Sequence, residues 1–482
     1  MSEEAAAGER DFGERLAAAL GRTVPDFGEL VSWERLSGGA SQETYRIAIS
    51  AGGGERLLAM RRAPGGTTSE TSTGPGLATE AELMRLARQA GVPEPEVLAV
   101  LQPGDGLGDG FVMEWLEGET LGARIVRSPE LADVRPRLAR QCGEILARIH
   151  AIDIAATGLD QRLETFTPTD LIHQSWDRYQ TYGTPQPMID FTARWLLENL
   201  PTSNRMGLVH NDFRNGNLMV TNADGVVAVL DWEIAHIGDP LRDLGWMCTN
   251  SWRFGSYELP VGGFGTYDDL LAGYESVSGR PVDPDHLRFW EVFGSFWWAV
   301  GCLGMAEHYR TGPDRTVERP AIGRRTSECQ IDCVNLIIPG SVELVPPTGA
   351  SSALEMPTVE ELLTSVRDFL RDDVMETTQG RTSFLARVAA NSLDIVLRQL
   401  ELGPAHRRLE HELLSQVMSD DGDLESLRWR LVEGLRDGTI ALDRPGLAVY
   451  LRTSVANQAA IDQPRYSGFR HAVELSSRLS AG

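Results

Sequence analysis

The feature that most restricts this chain is a pair of apolar runs, Leu218-Met219-Val220 and Val226-Val227-Ala228-Val229-Leu230, joined through Asp224-Gly225. Asp-Gly between two such runs is a strong hairpin signal, because both residues tolerate the positive φ that a tight two-residue turn demands. With Asp224-Gly225 as the turn, pairing back along the ladder sets Leu218 opposite Asp231. Asn217 and Asp231 then come to the open end of the ribbon. An amide oxygen and a carboxylate meeting there make a hard-oxygen site suited to Mg²⁺, which uses few protein ligands and completes its octahedron with water and phosphate. The preceding loop, His210-Asn211-Asp212-Phe213-Arg214-Asn215-Gly216-Asn217, carries a further carboxylate, Asp212, that can reach a hydroxyl presented to a metal-bound phosphate. One Asp orienting or deprotonating an alcohol while an Asn and another Asp hold magnesium is the division of labour in phosphoryl-transfer catalytic loops. An Asx-rich loop is often only a turn bonding its own backbone. That would explain Asn211, Asn215 or Asp224 singly, but not the offsets of the whole set.

The surrounding sequence changes texture twice. A short helix over residues 12–20 ends at Gly21, and strands follow at 31–36, 44–49 and 56–61 with glycine-rich turns between them, an antiparallel meander. A helix over 77–90, a strand ending at Val100 and a strand over 111–115 complete a small sheet lobe. Helical periodicity then dominates 137–150, 191–200, 267–274 and 287–309, interrupted by one strand pair between 207 and 231. His150 ends one of these helices and reads as its cap, and Asp239 and Asp243 read as caps of the helix that follows them. His236, among Ile234, Ala235 and Ile237, reads as a core residue ahead of one lining the site. Trp290, Phe293, Phe296, Trp297 and Trp298 fit either an apolar wall for a substrate or the lobe's own core. Near residue 340 a Pro- and Gly-rich stretch reads as a linker. Beyond it Leu362, Leu363, Val366, Phe369 and Leu370 mark one amphipathic helix. Phe384 to Leu400 mark a second, stopped at Gly403-Pro404. The expected organisation is therefore a helix over 1–24, a sheet lobe over 25–117, a helical lobe over 118–340, a linker over 341–354 and an all-α domain over 355–482.

Composition excludes several function classes. The net charge of -24 disfavours nucleic acid and anionic membrane surfaces, which are bound through basic patches. No uncharged apolar run reaches the length of a membrane span, and the acidic Met1-Ser2-Glu3-Glu4 start has no signal-peptide core, so a cytoplasmic chain is expected. The five cysteines are odd in number and scattered, as reduced thiols would be. There is no lysine at all: every one of the 45 basic residues is arginine. Schiff-base chemistry and the Walker A lysine are thereby excluded, and any phosphate-binding cation must be arginine.

His210-Asn211-Asp212 through Asn217, with Asp231-Trp232-Glu233, resembles the aminoglycoside phosphotransferase (choline kinase-like) family. The detail of Phe213 to Met219 and of Gly238-Asp239-Pro240-Leu241-x-Asp243-Leu244 is most similar to bacterial members akin to the kinase-like domains fused to acyl-CoA dehydrogenases. The likeness covers roughly residues 25 to 340. The tail is similar to a helical domain of unknown function that accompanies such kinases. Asn211 departs from the family's usual glycine, but a small Asx side chain can still adopt positive φ. The resemblance implies an α+β, protein-kinase-like two-lobed fold followed by an all-α domain. It implies transfer of the ATP γ-phosphoryl group, with Mg²⁺, to a hydroxyl of a small molecule such as a hydroxyacyl-CoA. The alternatives are an aminoglycoside-type antibiotic kinase, a nucleotide-binding pseudokinase scaffold, and a metal-dependent hydrolase using the same carboxylates. By the same resemblance Asp212 is the catalytic residue and His210 fixes its loop. Asn217, Asp231 and Glu233 are the metal set. Gly38, Gly39, Ala40 and Ser41 cover the nucleotide phosphates, while Arg61 with Glu80 on the next helix steadies them. Glu82 is a second candidate for Arg61's partner, and Arg62 competes with Arg61 itself. Met113, Glu114 and Trp115 form the hinge beside the base. The C-terminal helices are the expected surface for any homo-oligomer.

Overall fold

The computed structural model describes residues 3–36, 42–66, 74–202, 205–347 and 356–481. Its contacts divide the chain into two compact units. The first is Met1–Thr167 with Ser203–Met247 and Leu259–Pro284; the second is Pro168–Thr202 with Cys248–Glu258 and Asp285–Gly482.

In the first unit, β1 (Phe27–Arg35), β2 (Glu43–Ala51), β3 (Gly54–Arg62), β4 (Val97–Val100) and β5 (Gly110–Glu114) form one sheet. Its order is β1-β2-β3-β5-β4, with every neighbour antiparallel. Alternation along the strands buries Tyr45, Ile47 and Ile49 with Leu58 and Met60 on one face. The N-terminal helix, Glu3–Thr23, covers that face with Leu16 and Leu20. It is longer than the sequence pattern indicates and runs through Gly21, whose helix penalty of about 1 kcal/mol is outweighed by packing of Ala19, Leu20 and Val24 into the same core. The helix Leu77–Gln89 lies against β4 and β5 and buries Glu80, Ala81, Leu83, Met84 and Ala87.

Four more strands follow: β6 (Gly207–Val209), β7 (Leu218–Thr221), β8 (Gly225–Val229) and β9 (His236–Gly238). They make two ribbons, β6-β9 and β7-β8, where one pair was expected. The β7-β8 register also differs from expectation. Thr221 pairs with Gly225 and Leu218 with Val229, not with Asp231. The reason is local. The Thr221 hydroxyl accepts the Asp224 amide at 3.2 Å, and Gly225 takes φ 86 as the first strand residue, so the loop has three residues and a bulge follows between Met219 and Val220. The intended juxtaposition survives by another route, since the Leu230 amide donates to the Asn217 carbonyl at 2.8 Å. Beneath this ribbon the helices Arg135–Ile149 and Tyr267–Ser278 pack closely because Gly143 and Gly273 face backbone. A Cβ at either would lie about 2 Å from the carbonyl oxygen of Leu270 or of Arg140.

The second unit is helical. Met188 and Phe191 of the helix Pro187–Glu198 and Ile331 and Val334 of Thr326–Ile337 share one core with Leu414, Leu427, Leu431, Leu451 and Ala456. The helices past residue 355 thus do not close a core of their own, and the contacts do not divide the chain at 341–354, of which residues 348–354 lie outside the described residues. The helix expected to stop at Gly403-Pro404 runs from Gly380 to Met418 with Pro404 inside it. Proline removes one helical hydrogen bond, but Ala405, His406, Glu410, Leu414 and Val417 beyond it are buried and hold the helix together. The helix Val359–Asp368 forms as expected and passes at Phe369 into a π-helical turn, although Leu362, Val366 and Phe369 are exposed. Trp290, Phe293 and Phe296 are fully buried, so these three belong to the core rather than to a substrate wall. Among the described residues no helix is long and apolar enough to cross a membrane.

Candidate active site

The loop after β6 is built on a buried acid. Asp243, fully enclosed, accepts the His210 amide at 2.8 Å and the Asn211 amide at 2.7 Å, and its Oδ2 lies 3.1 Å from His150 Nε2. The other His150 nitrogen meets the Tyr274 hydroxyl at 3.1 Å, tying the loop to the paired helices described above. Burial would push the Asp243 carboxyl up. The His150 hydrogen bond, the two nearby imidazoles and the His210 amide together hold it below the usual carboxylate range. Asp243 is therefore a support of the loop and not a helix cap, and His150 does more than close its helix. Asp239 does behave as a cap, accepting the Leu241 amide at 3.0 Å.

Above Asp243 the chain turns sharply. Asn211 stands at φ 70, the left-handed region that an Asx residue tolerates. His210 is buried and packed against Trp232 at 4.5 Å between ring centroids, and its Nδ1 accepts the Asp212 amide at 3.2 Å. Burial pushes the imidazole down, against the pull of Asp243, Asp212 and Asp231. It serves as a neutral brace for the loop.

Asp212 collects four donors. Oδ1 accepts from Arg214 Nε and from Trp246 Nε1, both at 2.8 Å. Oδ2 accepts from Arg214 Nη2 at 3.1 Å and from Asn217 Nδ2 at 2.6 Å. That fills the lone-pair directions of a carboxylate, so an incoming hydroxyl must displace a donor. Trp246 is 1% exposed and fixed. Arg214, on a long and partly exposed side chain, is the one that can move. Asn217 also donates to the Asp212 carbonyl at 3.0 Å, which commits its amide nitrogen and leaves Oδ1 as the oxygen its side chain can offer a cation.

A second cluster lies at Arg61. Its guanidinium reaches Glu80 at 2.5 Å, Asp231 at 2.9 Å and Glu233 at 3.7 Å. Burial would lower the Arg61 pKa, but the three carboxylates raise it. Glu80 is pushed up to about 7, first by burial and then by Asp231 and Glu233, against the pull of Arg61 and a Trp232 backbone bond. One guanidinium facing three carboxylates leaves the cluster short of positive charge, which a divalent cation would supply. The donors expected to hold it, Asn217 with Asp231 and Glu233, are hard oxygens as magnesium requires. No group of three or more His, Cys, Asp or Glu suited to a metal occurs among the described residues. A site of two carboxylates and an amide completed by phosphate oxygens is not of that kind. Asp231 itself stands at φ 72, an uncommon conformation for a non-glycine residue.

The structure pairs Arg61 with Glu80 and not with Glu82, whose neighbour is Arg85 at 4.0 Å. Arg62 turns away to Glu43 at 3.1 Å and the Leu107 carbonyl. Met113 and Glu114 end β5. The Glu114 amide donates to the Glu96 carbonyl at 2.9 Å and the Trp115 amide to the Leu57 carbonyl at 3.4 Å, so both amides are engaged in the sheet. Gly38, Gly39, Ala40 and Ser41 lie outside the described residues. Sequence reasoning missed Arg214, Trp246 and the structural role of Asp243. Arg214, two positions from Asp212, was open to notice. Trp246 and Asp243 lie more than thirty residues away, on or beside the helix Leu241–Cys248. It also missed Glu94, buried and holding Trp232 Nε1 at 3.1 Å, with its carboxyl pushed well up by burial.

His236 is a core residue, as the sequence pattern indicates, edge-on to Phe166 at 5.4 Å. Burial holds its pKa down at about 4. The unfolded chain protonates this ring below about 6.5 and the folded one does not, so stability is lost as pH falls from about 6.5 towards 4. His236→Phe should remove roughly 2 kcal/mol of the stability difference between pH 7 and pH 5, measured by urea unfolding at both values. An unchanged difference would contradict the neutral buried ring.

Comparison with known proteins adds five findings. A family model described as "Phosphotransferase enzyme family" matches residues 32–280, and a domain of unknown function, DUF6285, matches 376–466. Mouse acyl-CoA dehydrogenase family member 10 is 28% identical over 307 residues, covering 60% of this chain and 27% of the relative. Rat acyl-CoA dehydrogenase family member 11 is 25% identical over 460 residues, covering 89% of this chain and 55% of the relative. The chain thus spans about a quarter to about half the length of these relatives. A crystal structure from Ralstonia eutropha JMP134, provisionally described as an aminoglycoside phosphotransferase, superposes with a TM-score of 0.54 at 24% identity, covering 67% of this chain and 97% of that one. That likeness shows the fold: protein-kinase-like, with an N-terminal antiparallel sheet and a helical lobe.

Proposed function

The chain belongs to the phosphotransferase enzyme family, and from that premise we propose that it moves the γ-phosphoryl group of ATP, with Mg²⁺, to a hydroxyl of a small molecule. The coarse activity, small-molecule phosphotransfer, follows from the family. The observation that carries the finer reading is the pair of clusters at Asp212 and Arg61, joined through the Leu230–Asn217 backbone bond. In this reading Asp212 orients the acceptor hydroxyl and takes up its proton as the oxygen attacks phosphorus. Asn217 holds Asp212 in place, and His210 and Asp243 fix the loop that carries it. Arg61, poised by Glu80, steadies the nucleotide phosphates, and Arg214 has the reach to follow negative charge from Asp212 to a transferring phosphoryl group. Magnesium, held by Asn217, Asp231 and Glu233, would neutralise phosphate charge. Such catalysis is mostly positioning and charge stabilisation.

For the acceptor we favour a hydroxyacyl-CoA or a related apolar alcohol, a reading supported by relatives named as acyl-CoA dehydrogenase family members. An aminoglycoside is the second reading, favoured by the net charge of -24, which suits a polycation. Asp231→Asn tests the metal assignment. Calorimetric titration should show magnesium-dependent ATP binding weakened by about tenfold or more, equivalent to roughly 1.4 kcal/mol. Undiminished magnesium-dependent affinity would remove Asp231 from the metal set.

A further inference from the structure

The helical unit holds a cavity of about 570 Å³, a size that encloses a small organic molecule. Pro187, Met188, Leu303, Tyr309, Leu451 and Val455 give it apolar walls. Two buried carboxylates, Glu410 and Asp462, also line it, and both are already neutralised. Arg428 donates Nε at 2.7 Å and Nη2 at 2.5 Å to Glu410, and the Tyr450 hydroxyl adds a bond at 3.1 Å. Arg324 donates Nε to Asp462 at 2.7 Å, and the Gln458 amide adds one at 3.0 Å. Carboxylates so engaged have little to offer a cationic ligand. Each guanidinium, by contrast, has five N–H groups and gives Nε and Nη2 to these partners, Arg324 sharing Nη2 with Gln399. A third guanidinium, Arg310, lines the cavity with a largely exposed side chain, loosely paired with Glu307 at 3.5 Å. On the same lining, buried His406 keeps Nε2 4.0 Å from Glu410, while its Nδ1 has no hydrogen-bond partner among the described residues. The lining therefore combines apolar walls, satisfied acceptors and donors in excess.

We propose that this cavity binds a small amphipathic carboxylate, with its chain against Met188, Leu303 and Val455 and its head group accepting from the Arg324, Arg428 and His406 side of the lining. A polycation finds no free carboxylate there. A nucleoside triphosphate brings several negative charges where two of the three guanidiniums are already neutralised, whereas a single carboxylate needs only their spare N–H groups and one net positive charge. The cavity shares no residue with the clusters at Asp212 and Arg61, and the proposal rests on no part of the phosphotransferase reading.

The test is calorimetric titration of the full chain with three probes of equal chain length: decanoate, decanol and decylamine. Decanoate should bind one site per chain, decanol about tenfold more weakly, a difference of roughly 1.4 kcal/mol, and decylamine not measurably. Leu303→Trp, which puts bulk into the cavity, should weaken decanoate by tenfold or more. Arg310→Glu, a substitution on an exposed side chain that leaves the core intact, should weaken it severalfold. Absence of saturable decanoate binding, equal binding of decylamine, or decanoate affinity unchanged in both variants would each overturn the proposal.

Discussion

Asp212→Ala is expected to lower kcat about a thousandfold, within the range for losing a positioned acid or base, while leaving ATP affinity nearly unchanged. The split follows from the two clusters. Nucleotide phosphates and magnesium are assigned to Arg61, Asp231 and Glu233, which are charge-paired among themselves, and to Asn217, which keeps its bond to the Asp212 main-chain carbonyl when the carboxylate is removed. Asp212 instead serves the acceptor hydroxyl, so its removal strikes the chemical step. The variant frees Arg214, Trp246 Nε1 and one bond of Asn217 Nδ2 from their shared partner. Because Arg214 is partly exposed and can reach water, the stability cost should be small beside the kinetic one. An equal fall in ATP affinity would mean instead that Asp212 belongs to the nucleotide site.

Asp243→Asn should have the largest effect on stability, about 2 to 4 kcal/mol, with catalysis failing alongside it. The fully buried carboxylate accepts three bonds, from His150, His210 and Asn211, on two oxygens. An amide has one oxygen, so its NH2 group must face a donor in a place water does not reach. Either the His210 amide, on Oδ2, or the Asn211 amide, on Oδ1, would then lose its acceptor, which loosens the turn at φ 70 and with it the position of Asp212. The linkage has a definite sign. Asp243 is held below its usual range, so its contribution is present above the ordinary carboxylate pKa and is lost as pH falls through the lower folded value. Denaturant unfolding of Asp243→Asn at pH 7, beside the parent chain, measures the loss. Wild-type stability would assign the carboxylate no part in holding the loop.

Much of this site was legible in the sequence, and the parts that were not share a cause. Asp212, Asn217 and Asp231 stand out because their spacing is local and hairpin periodicity places them. Arg61 and Glu80 follow from the family resemblance, which implies a basic residue ending the third strand and an acid on the next helix, while the lysine-free composition makes that basic residue arginine. The register of β7 and β8 was misjudged because a Thr221 side-chain bond to the Asp224 amide decides between a two- and a three-residue turn, and periodicity does not see that bond. Asp243 and Trp246 were missed because their contacts with the loop are tertiary, made by residues that look like ordinary helix caps and core. The same limit applies past residue 355. Apolar stripes there show helices, but only three-dimensional packing shows that Leu414, Leu427 and Leu451 share a core with Met188 and Ile331. Pro404 illustrates the point: its local rule predicts a stop, and buried residues on its far side override it.

The central question for this protein is whether γ-phosphate moves from ATP to an alcohol through Asp212. Transfer of γ-³²P from ATP should be followed by mass and radiolabel against a panel of hydroxylated metabolites, hydroxyacyl-CoA thioesters and an aminoglycoside, with the parent chain and Asp212→Ala side by side. The predicted result is magnesium-dependent label on the hydroxyl of a small-molecule acceptor, with the parent chain exceeding Asp212→Ala by about a thousandfold. Label appearing only as free phosphate, or transferred equally well by Asp212→Ala, would contradict it.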